Sequence, residues 1–461
     1  MSRLDSPPPH RAKAKALAPH DAGMHRDAGR ALRAKVPRSS HAAFRAPRKG
    51  RDIVAMLEDS NRHRVPLLVP IRYGRMLHSP FAFFRGAASI MAYDLARTHV
   101  SGIRVQACGD AHLMNFGGFA TPERHLIFDV NDFDETLVAP WEWDLKRLGA
   151  SITVAGRHLG FSDRRNAAAT MASVAGYREH MALYAPMHAL ERWYQHIDAT
   201  QVAELHFDSL KKEALDAPPH PVTDHLLPKF TEVVGETRQI KEEKPLVFHP
   251  RKGDRTITDV RRLLSLYRAT LPADRQTLLE RFRLIDVAIK VVGVGSVGTR
   301  CAVALLMSGK DDSLFLQFKE ARASVLEPYA GRSPYRNHGE RVVEGQRLMQ
   351  AASDIFLGWS ADPVMRVDYY VRQLRDCKTA ANIDTMDYPH LVDYAHHCGA
   401  ALARAHAKAG DAAAISGYVG KNQALDVALA RFAAAYADQT ERDFETLKAA
   451  AERGRIPVED I

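Results

Sequence analysis

Carboxylate and amide side chains lie at spacings that suit phosphate chemistry between Cys108 and Leu148. Asp110 and Asn115 are five positions apart in a polar loop, and an apolar segment separates them from the acidic cluster at 131–135. Phosphoryl transfer needs one carboxylate to orient or deprotonate an acceptor hydroxyl, and an amide with a carboxylate to hold Mg²⁺. Asp110 is therefore the candidate catalytic base, and Asn115 is a candidate metal ligand.

The acidic cluster offers further metal ligands. Asp132 lies just after the apolar segment, separated from it by Asn131, and is the expected principal Mg²⁺ ligand, while Asp134 is a candidate second ligand and Asp129 is a close rival. His112 is a candidate catalytic residue that orients the loop, and its alternative role is structural. A solvated acidic turn is the other interpretation of the cluster, so the assignment depends on what the rest of the chain supplies.

The segment 293–298 reads GVGSVG and matches the phosphate-binding pattern G-x-G-x-x-G. Dinucleotide-binding folds place this pattern between a strand and a helix. Here the β-branched, alternating residues of Thr299–Met307 predict a second strand, and a hairpin of this kind can fold over phosphates. A structural turn is the remaining alternative. The candidate nucleotide contacts are Gly293, Gly295, Ser296 and Gly298.

Lys319 lies in the next predicted strand, Ser313–Lys319, among apolar residues. A charge inside an apolar strand is costly unless it is paired. Glu344, on the predicted helix Gly339–Ala351, is the expected partner, and Glu340 is the reserve choice. Lys319 is therefore the candidate contact to nucleotide phosphates, positioned by Glu344.

The positive charge is concentrated at one end of the chain. The net charge is +9, and residues 1–50 hold twelve Lys and Arg against three Asp and Glu. The remainder is formally neutral, which argues against an extended basic groove, so no nucleic-acid partner is predicted. Residues 1–50 also lack periodic apolar spacing, and we expect them to be disordered and dispensable for folding and nucleotide binding.

Composition also bears on the compartment. The four cysteines are scattered without CxxC spacing, so neither a zinc site nor a disulfide framework is indicated. No apolar run approaches membrane-spanning length, and the N-terminus has no hydrophobic signal core. We expect a cytoplasmic protein with no membrane association.

Composition changes near residues 285 and 378 divide the chain after the basic tail. Helical patterns dominate 51–284 and 378–461, whereas strand patterns dominate 285–377. The strands expected in this middle part are Ile285–Val292, Thr299–Met307, Ser313–Lys319 and Asp368–Leu374. The predicted division is thus a helical part in two pieces, which carries the catalytic loop, around a β-rich nucleotide-binding part.

The strings GDAHLMN, DVNDFDE and WEWDL resemble the catalytic half of the protein-kinase-like superfamily, particularly its aminoglycoside and choline phosphotransferase branch. More narrowly, the chain resembles a bacterial family of unknown function, number 2252, over most of residues 50–450. Shared strings include VPIRYGRM, SPFAFFRGAA, CGDAHLMNFG, PWEWDLKRL, VGVGSVGTR and RVVEGQRLMQAASDIFLGW. That family brings no established substrate.

The motif order departs from that of kinases, in which the glycine loop and its lysine precede the catalytic loop. The resemblance therefore implies a circularly permuted, two-lobed α+β protein-kinase-like fold with a small β-rich lobe and a large helical lobe. An unpermuted alternative makes Asp411 catalytic and Asp443 a metal ligand. It is disfavoured because the position five after Asp411 is Ser416 and not an asparagine.

The resemblance implies an ATP- and Mg²⁺-dependent phosphotransferase that acts on a hydroxyl of an unidentified small molecule. Its partners are then a nucleotide and that acceptor, with Tyr370–Leu374 near the adenine. The alternatives are a nucleotide-binding pseudokinase, a nucleotidyl transferase, and a metal-dependent phosphohydrolase that uses His112, Asp110 and Asp132. The last leaves Lys319 and the glycine loop without a role.

Overall fold

The computed structural model describes residues 21–47, 50–199, 202, 223–235, 237–249, 260–310, 312–374 and 381–459. The fold is mixed α+β, and helices predominate. The described α-helices, labelled in chain order, are α1 (Ala22–Ala31), α2 (Ile53–Asn61), α3 (Val69–Leu77), α4 (Pro80–Gly86), α5 (Ala88–Leu95), α6 (Trp141–His158), α7 (Asp163–Tyr184), α8 (Ala189–Tyr194), α9 (Thr223–Phe230), α10 (Val260–Arg268), α11 (Ala273–Leu279), α12 (Glu327–Ala330), α13 (His338–Met349), α14 (Tyr388–Ala409), α15 (Ala412–Val419) and α16 (Ala424–Glu452).

The strands form one larger sheet and several hairpin-sized ones. In the larger sheet the spatial order is β11-β12-β10-β9-β8-β7, and the neighbours are antiparallel. The described strands are β1 (Arg104–Ala107), β2 (Phe116–Ala120), β3 (Leu126–Val130), β4 (Leu137–Pro140), β5 (Thr231–Val234), β6 (Thr237–Ile240), β7 (Val247–Phe248), β8 (Arg283–Lys290), β9 (Cys301–Met307), β10 (Ser313–Ala321), β11 (Gly358–Asp362) and β12 (Val367–Gln373).

The larger sheet is covered on both faces. Residues of β9 alternate between two apolar clusters, so that Ala304 packs with α10 residues such as Tyr267, while Leu305 packs with Leu227 of α9. Burial on both faces explains why β9 and β10 are buried along their whole length. The strands predicted at 285–292, 299–307, 313–319 and 368–374 correspond to β8, β9, β10 and β12, whereas β11 was not predicted.

Helix α6 lies at the centre of the helical part. All its residues from Trp141 to Gly156 are buried, because α4, α7, α14 and α16 pack around it. Helices α7 and α14 approach so closely that a Cβ on Gly399 would lie 1.8 Å from the Ser173 carbonyl oxygen. The glycine at this crossing therefore allows the helices around α6 to close.

The prediction that the N-terminal segment is disordered is wrong over residues 21–47. Helix α1, capped by Asp21, packs against α15, and Gly29 makes that contact without room for a side chain. Arg33 and Arg38 then donate to carbonyl groups at the end of α15. Alanine- and arginine-rich composition predicted disorder because it carries little apolar periodicity, yet small residues permit this close helix contact. Residues 1–20 lie outside the described part.

None of the described helices offers the length and apolarity needed to cross a lipid bilayer.

Candidate active site

A cavity of about 210 Å³ lies between the acidic segment, the β8–β9 loop and the helices α2 to α5. It gathers residues from three distant stretches of the chain. The candidates that line it are Asp110, His112, Asn115, Asp132, Asp134, Gly293, Gly295 and Ser296.

The loop that carries Asp110 is fixed by a buried carboxylate. Asp144, near the start of α6, accepts hydrogen bonds from the amides of Cys108 at 2.8 Å and Gly109 at 3.0 Å. His406 Nε2 lies 3.2 Å from Asp144, and its Nδ1 lies 2.9 Å from the Tyr177 hydroxyl. Sequence analysis assigned no role to Asp144. The signal for Asp144 was a carboxylate between two apolar residues, Trp143 and Leu145, at the start of a helix.

Gly109 brings the loop against the acidic cluster. Its φ is +85°, and a Cβ there would lie 2.2 Å from the carbonyl oxygen of Glu135. Both the positive φ and the close approach require glycine. Glu135 is itself anchored to the next segment, because its carboxylate accepts the amide of Val325 at 2.7 Å. Burial raises the pKa of Glu135 to about 7.

Asp110 forms an ion pair that the sequence did not reveal. Arg147 Nε donates to Asp110 Oδ1 at 2.6 Å, and the same guanidinium donates to the Phe84 carbonyl. Arg147 lies on α6, so the helix that fixes the loop also orients the carboxylate. The Asn115 amide donates to the Asp110 carbonyl at 2.7 Å. Asp110 and Asn115 are therefore held together as one unit.

His112 is buried beside this unit and is electrically neutral. Its Nε2 lies 3.9 Å from Asp110 Oδ2. Burial lowers the pKa of His112 to about 3, against the opposing attraction of Asp110. Its Nδ1 has no hydrogen-bond partner among the described residues. His112 can thus orient the loop or a ligand, but it does not act as a cation near neutral pH.

Lys319 reaches the acidic cluster from β10. Its Nζ lies 2.5 Å from Asp134 Oδ2 and 3.9 Å from Asp132 Oδ2. Burial alone would lower the pKa of Lys319, but the two carboxylates outweigh that effect and raise it well above its ordinary value. Asp134 also accepts the Tyr370 hydroxyl at 2.8 Å. The side chain of Lys319 is 4% exposed, whereas those of Asp132 and Asp134 are 36% and 27% exposed, so ligands in the cavity can reach both acids.

Glu344 is not the partner of Lys319, so that prediction is wrong. Glu344 instead pairs with Arg347 of the same helix at 2.9 Å. The side chain that α13 sends to the acidic cluster is the buried Arg341, which donates to the Asp134 carbonyl at 2.8 Å. The prediction failed because the carboxylates nearest to Lys319 in space are distant in sequence.

Asp129 has a structural role and is not available as a metal ligand. It is fully buried, and both its oxygens lie within hydrogen-bond distance of Arg404 on α14, at 2.7 and 2.8 Å. It also accepts the amide of Ala351 at 2.9 Å. These contacts connect β3 to α14 and to the end of α13. The candidate metal ligands in the acidic segment are therefore Asp132 and Asp134.

The glycine loop closes the cavity. Gly293 and Gly298 have φ values of +67° and +87°, and Ser296 Oγ lies 3.4 Å from Asp134 Oδ2. The amide of Val65 donates to the Gly298 carbonyl at 2.8 Å, which joins the loop to the segment before α3. The β8–β9 pairing makes this a hairpin, as predicted.

The acidic residues of the site bear on whether it can bind a metal ion. No cluster of three His, Cys, Asp or Glu side chains suited to a metal was found among the described residues. Mg²⁺, however, is commonly bound by one or two carboxylates and completed by water and substrate phosphates. Asp132 and Asp134, with the nearby Asn115, fit that requirement.

The chain belongs to the DUF2252 family, described as "uncharacterized protein conserved in bacteria", whose model matches residues 64–450. The match covers the acidic segment, the glycine loop and α14 but starts after α1 and α2. No curated protein and no solved structure matches the chain.

Proposed function

We propose that the protein is an ATP- and Mg²⁺-dependent phosphotransferase acting on a hydroxyl of a small molecule, with a permuted, two-lobed kinase-like architecture. The observation that carries the proposal is the contact of Lys319 with Asp134 and Asp132 beneath the glycine hairpin. A lysine that can bind phosphates, two carboxylates and a glycine loop form the set that phosphoryl transfer uses.

The order of elements in the sheet supports the same proposal. The glycine hairpin β8–β9 is followed by the lysine strand β10, the helix α13, and two further strands. The sheet places β12 beside β10 and β11 at the edge. This order of hairpin, lysine strand, helix and strand pair is the one expected of a kinase small lobe, and the loop with Asp110 precedes it in the chain, as a permutation requires.

Each side chain has a defined task in this proposal. Asp110, oriented by Arg147, accepts the proton of the acceptor hydroxyl. The hydroxyl oxygen bonds to the terminal phosphorus as the bond to the bridging oxygen breaks, and ADP leaves. Lys319 holds the nucleotide phosphates. Bound Mg²⁺ supplies neutralisation of phosphate charge, and the residues placed to hold it are Asn115, Asp132 and Asp134.

The ion pair between Lys319 and Asp134 fits this scheme. Lys319 and Asp134 neutralise each other at 2.5 Å, and Mg²⁺ with a nucleotide supplies replacements for both: phosphate oxygens for the lysine and a cation for the carboxylate. Each charge keeps a partner of opposite sign during this exchange. The exchange therefore costs little free energy, because no buried charge is left unpaired.

A thermal-shift panel of nucleotides, with and without Mg²⁺, tests the proposal. At a hundredfold excess over Kd, Mg²⁺–ATP should stabilise the protein by about 2.7 kcal/mol. Lys319→Met should weaken nucleotide binding with or without the metal, whereas Asp132→Asn should remove the Mg²⁺ dependence. Lys448→Met, on the exposed surface of α16, is the matched control.

A parent protein that no nucleotide stabilises would refute the phosphotransferase proposal and favour the phosphohydrolase alternative. Nucleotide binding without turnover over a broad panel of hydroxyl acceptors would instead favour the pseudokinase.

A further inference from the structure

One wall of the cavity carries arginines that lack carboxylate partners. Arg64, Arg72 and Arg85 all line the cavity, and in the described part of the chain no carboxylate forms an ion pair with any of them. Arg64 donates to two backbone carbonyl groups. Arg72 donates to the side chains of Ser60 and Asn61 and to a carbonyl. These are neutral acceptors, so the wall keeps its positive charge.

Arg85 is the least satisfied of the three. Its Nε is buried without a hydrogen-bond partner among the described residues, and the same is true of Arg72 Nε. Burial lowers the pKa of Arg85, of Arg64 and, to about 10, of Arg72. The lowered pKa values mean that these guanidinium groups lose hydration on burial without gaining a partner that compensates for it. An anion in the cavity would offset this cost.

Two other basic groups near the cavity are already neutralised. Arg147 pairs with Asp110 at 2.6 Å, and Arg322 pairs with Glu320 at 2.7 Å. The phosphate-binding role falls to Lys319, which is held by Asp134 until a nucleotide arrives. The three arginines are therefore positive charge beyond what the nucleotide site accounts for.

The arginine wall lies next to the candidate base. Asp110 exerts an opposing, favourable effect on the charge of Arg85, and a Cβ on Gly295 would lie 3.3 Å from the Arg85 carbonyl. Ala88 and Ser89, the first residues of α5, line the same wall, and no side chain caps that helix. Uncapped helix amides add to the attraction for an anion. The wall thus adjoins Asp110, where an acceptor has to lie.

We infer that Arg64, Arg72 and Arg85 form a subsite for an oxyanion of the acceptor, so that the molecule receiving the phosphoryl group carries a phosphate or carboxylate besides its hydroxyl. The identification of the bound anion as part of the acceptor rests on the proposed function, whereas the existence of an anion-binding subsite does not. Arg85 is the residue to substitute, because Arg64 and Arg72 also tie backbone segments together.

The test uses the full-length protein saturated with Mg²⁺ and a non-hydrolysable ATP analogue, titrated with inorganic phosphate by calorimetry. The parent should bind analogue and phosphate together. Arg85→Gln should weaken phosphate binding by about tenfold or more, as expected for loss of charge-assisted hydrogen bonds, and leave analogue binding within about twofold. Lys319→Met should show the reverse pattern. Titration with acetate in parallel distinguishes a phosphate subsite from a carboxylate subsite.

Arg268→Gln is the matched control, because Arg268 is exposed at the end of α10 and pairs with Glu280. Arg85→Lys keeps the charge and should retain part of the phosphate affinity, which covers the case of a misfolded glutamine variant. Competition between phosphate and the analogue, equal weakening of both by Arg85→Gln, or a parent that binds neither anion would overturn the inference. If the analogue does not bind, the proposed function fails, and the phosphate titration without it still tests the subsite.

Discussion

On one wall of the cavity, the carboxylates Asp110 and Asp134 each have a cation within 2.6 Å. On the other wall, Arg64, Arg72 and Arg85 form no ion pair with any carboxylate of the described residues. Both walls bury charge, and a buried charge without a partner destabilises a protein. The carboxylates of the acidic wall find their cations within the protein itself. The arginine wall becomes complete when an anion binds.

The helical core contains a buried arginine, Arg404, that contrasts with Arg72 at the cavity. Arg404 is as deeply buried as Arg72, at 1% and 2% exposure, but it lies against Asp129. One arginine stabilises the junction of β3, α13 and α14, and the other belongs to a wall whose charge is left for a ligand. Burial alone therefore does not assign a role to an arginine. For Arg404 and Arg72, the difference lies in whether a carboxylate pairs with the guanidinium.

The largest expected effect comes from breaking the acidic wall at Asp110. Asp110→Asn keeps the size of the side chain but cannot accept the hydroxyl proton, so turnover should fall by about 10²–10⁴-fold. Mg²⁺–ATP binding should stay close to that of the parent. ADP release with the best acceptor gives the first quantity, and calorimetry gives the second. Full activity in this variant would show that Asp110 is not the base.

A second prediction concerns the paired arginine of the core. Arg404→Met leaves Asp129 buried without its cation and should lower the free energy of unfolding by about 3–5 kcal/mol, measured by urea denaturation. The double variant with Asp129→Leu should recover part of that loss, because it removes the stranded carboxylate. A loss below about 1 kcal/mol in the single variant would contradict a strong role for the pair.

The smallest expected effect concerns the unpaired arginine of the wall. Arg85→Met keeps an apolar stem beside Phe81 and removes a charge that forms no ion pair within the described part of the chain. The free energy of unfolding of the ligand-free protein should stay unchanged or rise by up to about 1 kcal/mol, as is common where a binding residue is removed. The same urea titration measures it. A loss comparable to that of Arg404→Met would mean that Arg85 is structural.

Local spacing was enough to predict β8, β9, β10 and β12, though not β11, and to single out Asp110, Asn115 and the glycine hairpin, which lie at the cavity. The five-residue separation of Asp110 and Asn115 and the glycine hairpin are properties of short segments, and short segments determine their own geometry. The prediction that these segments share one cavity depended on the resemblance to a known order of motifs. The sequence of a short segment does not determine which distant segment it contacts.

The partners of buried charges could not be predicted in the same way. Lys319 was matched with Glu344, the acid at a familiar position on the next helix, but the nearest carboxylate in space is Asp134. Likewise Asp144 and Arg147 are charged residues inside a helix whose burial depends on packing by α4, α7, α14 and α16. Ion pairs of this type are fixed by tertiary packing, which sequence spacing does not contain.

The pair of Asp129 and Arg404 has a consequence for the newly made chain. The two residues are 275 positions apart, so a ribosome working at 5–20 residues per second delivers the arginine about 14–55 s after the aspartate. During that interval the acidic segment lacks its core cation, and until residue 319 has been made it lacks Lys319 as well. The cleft is therefore a late product of synthesis, and a nascent chain that stops before α14 carries the motifs without the completed site.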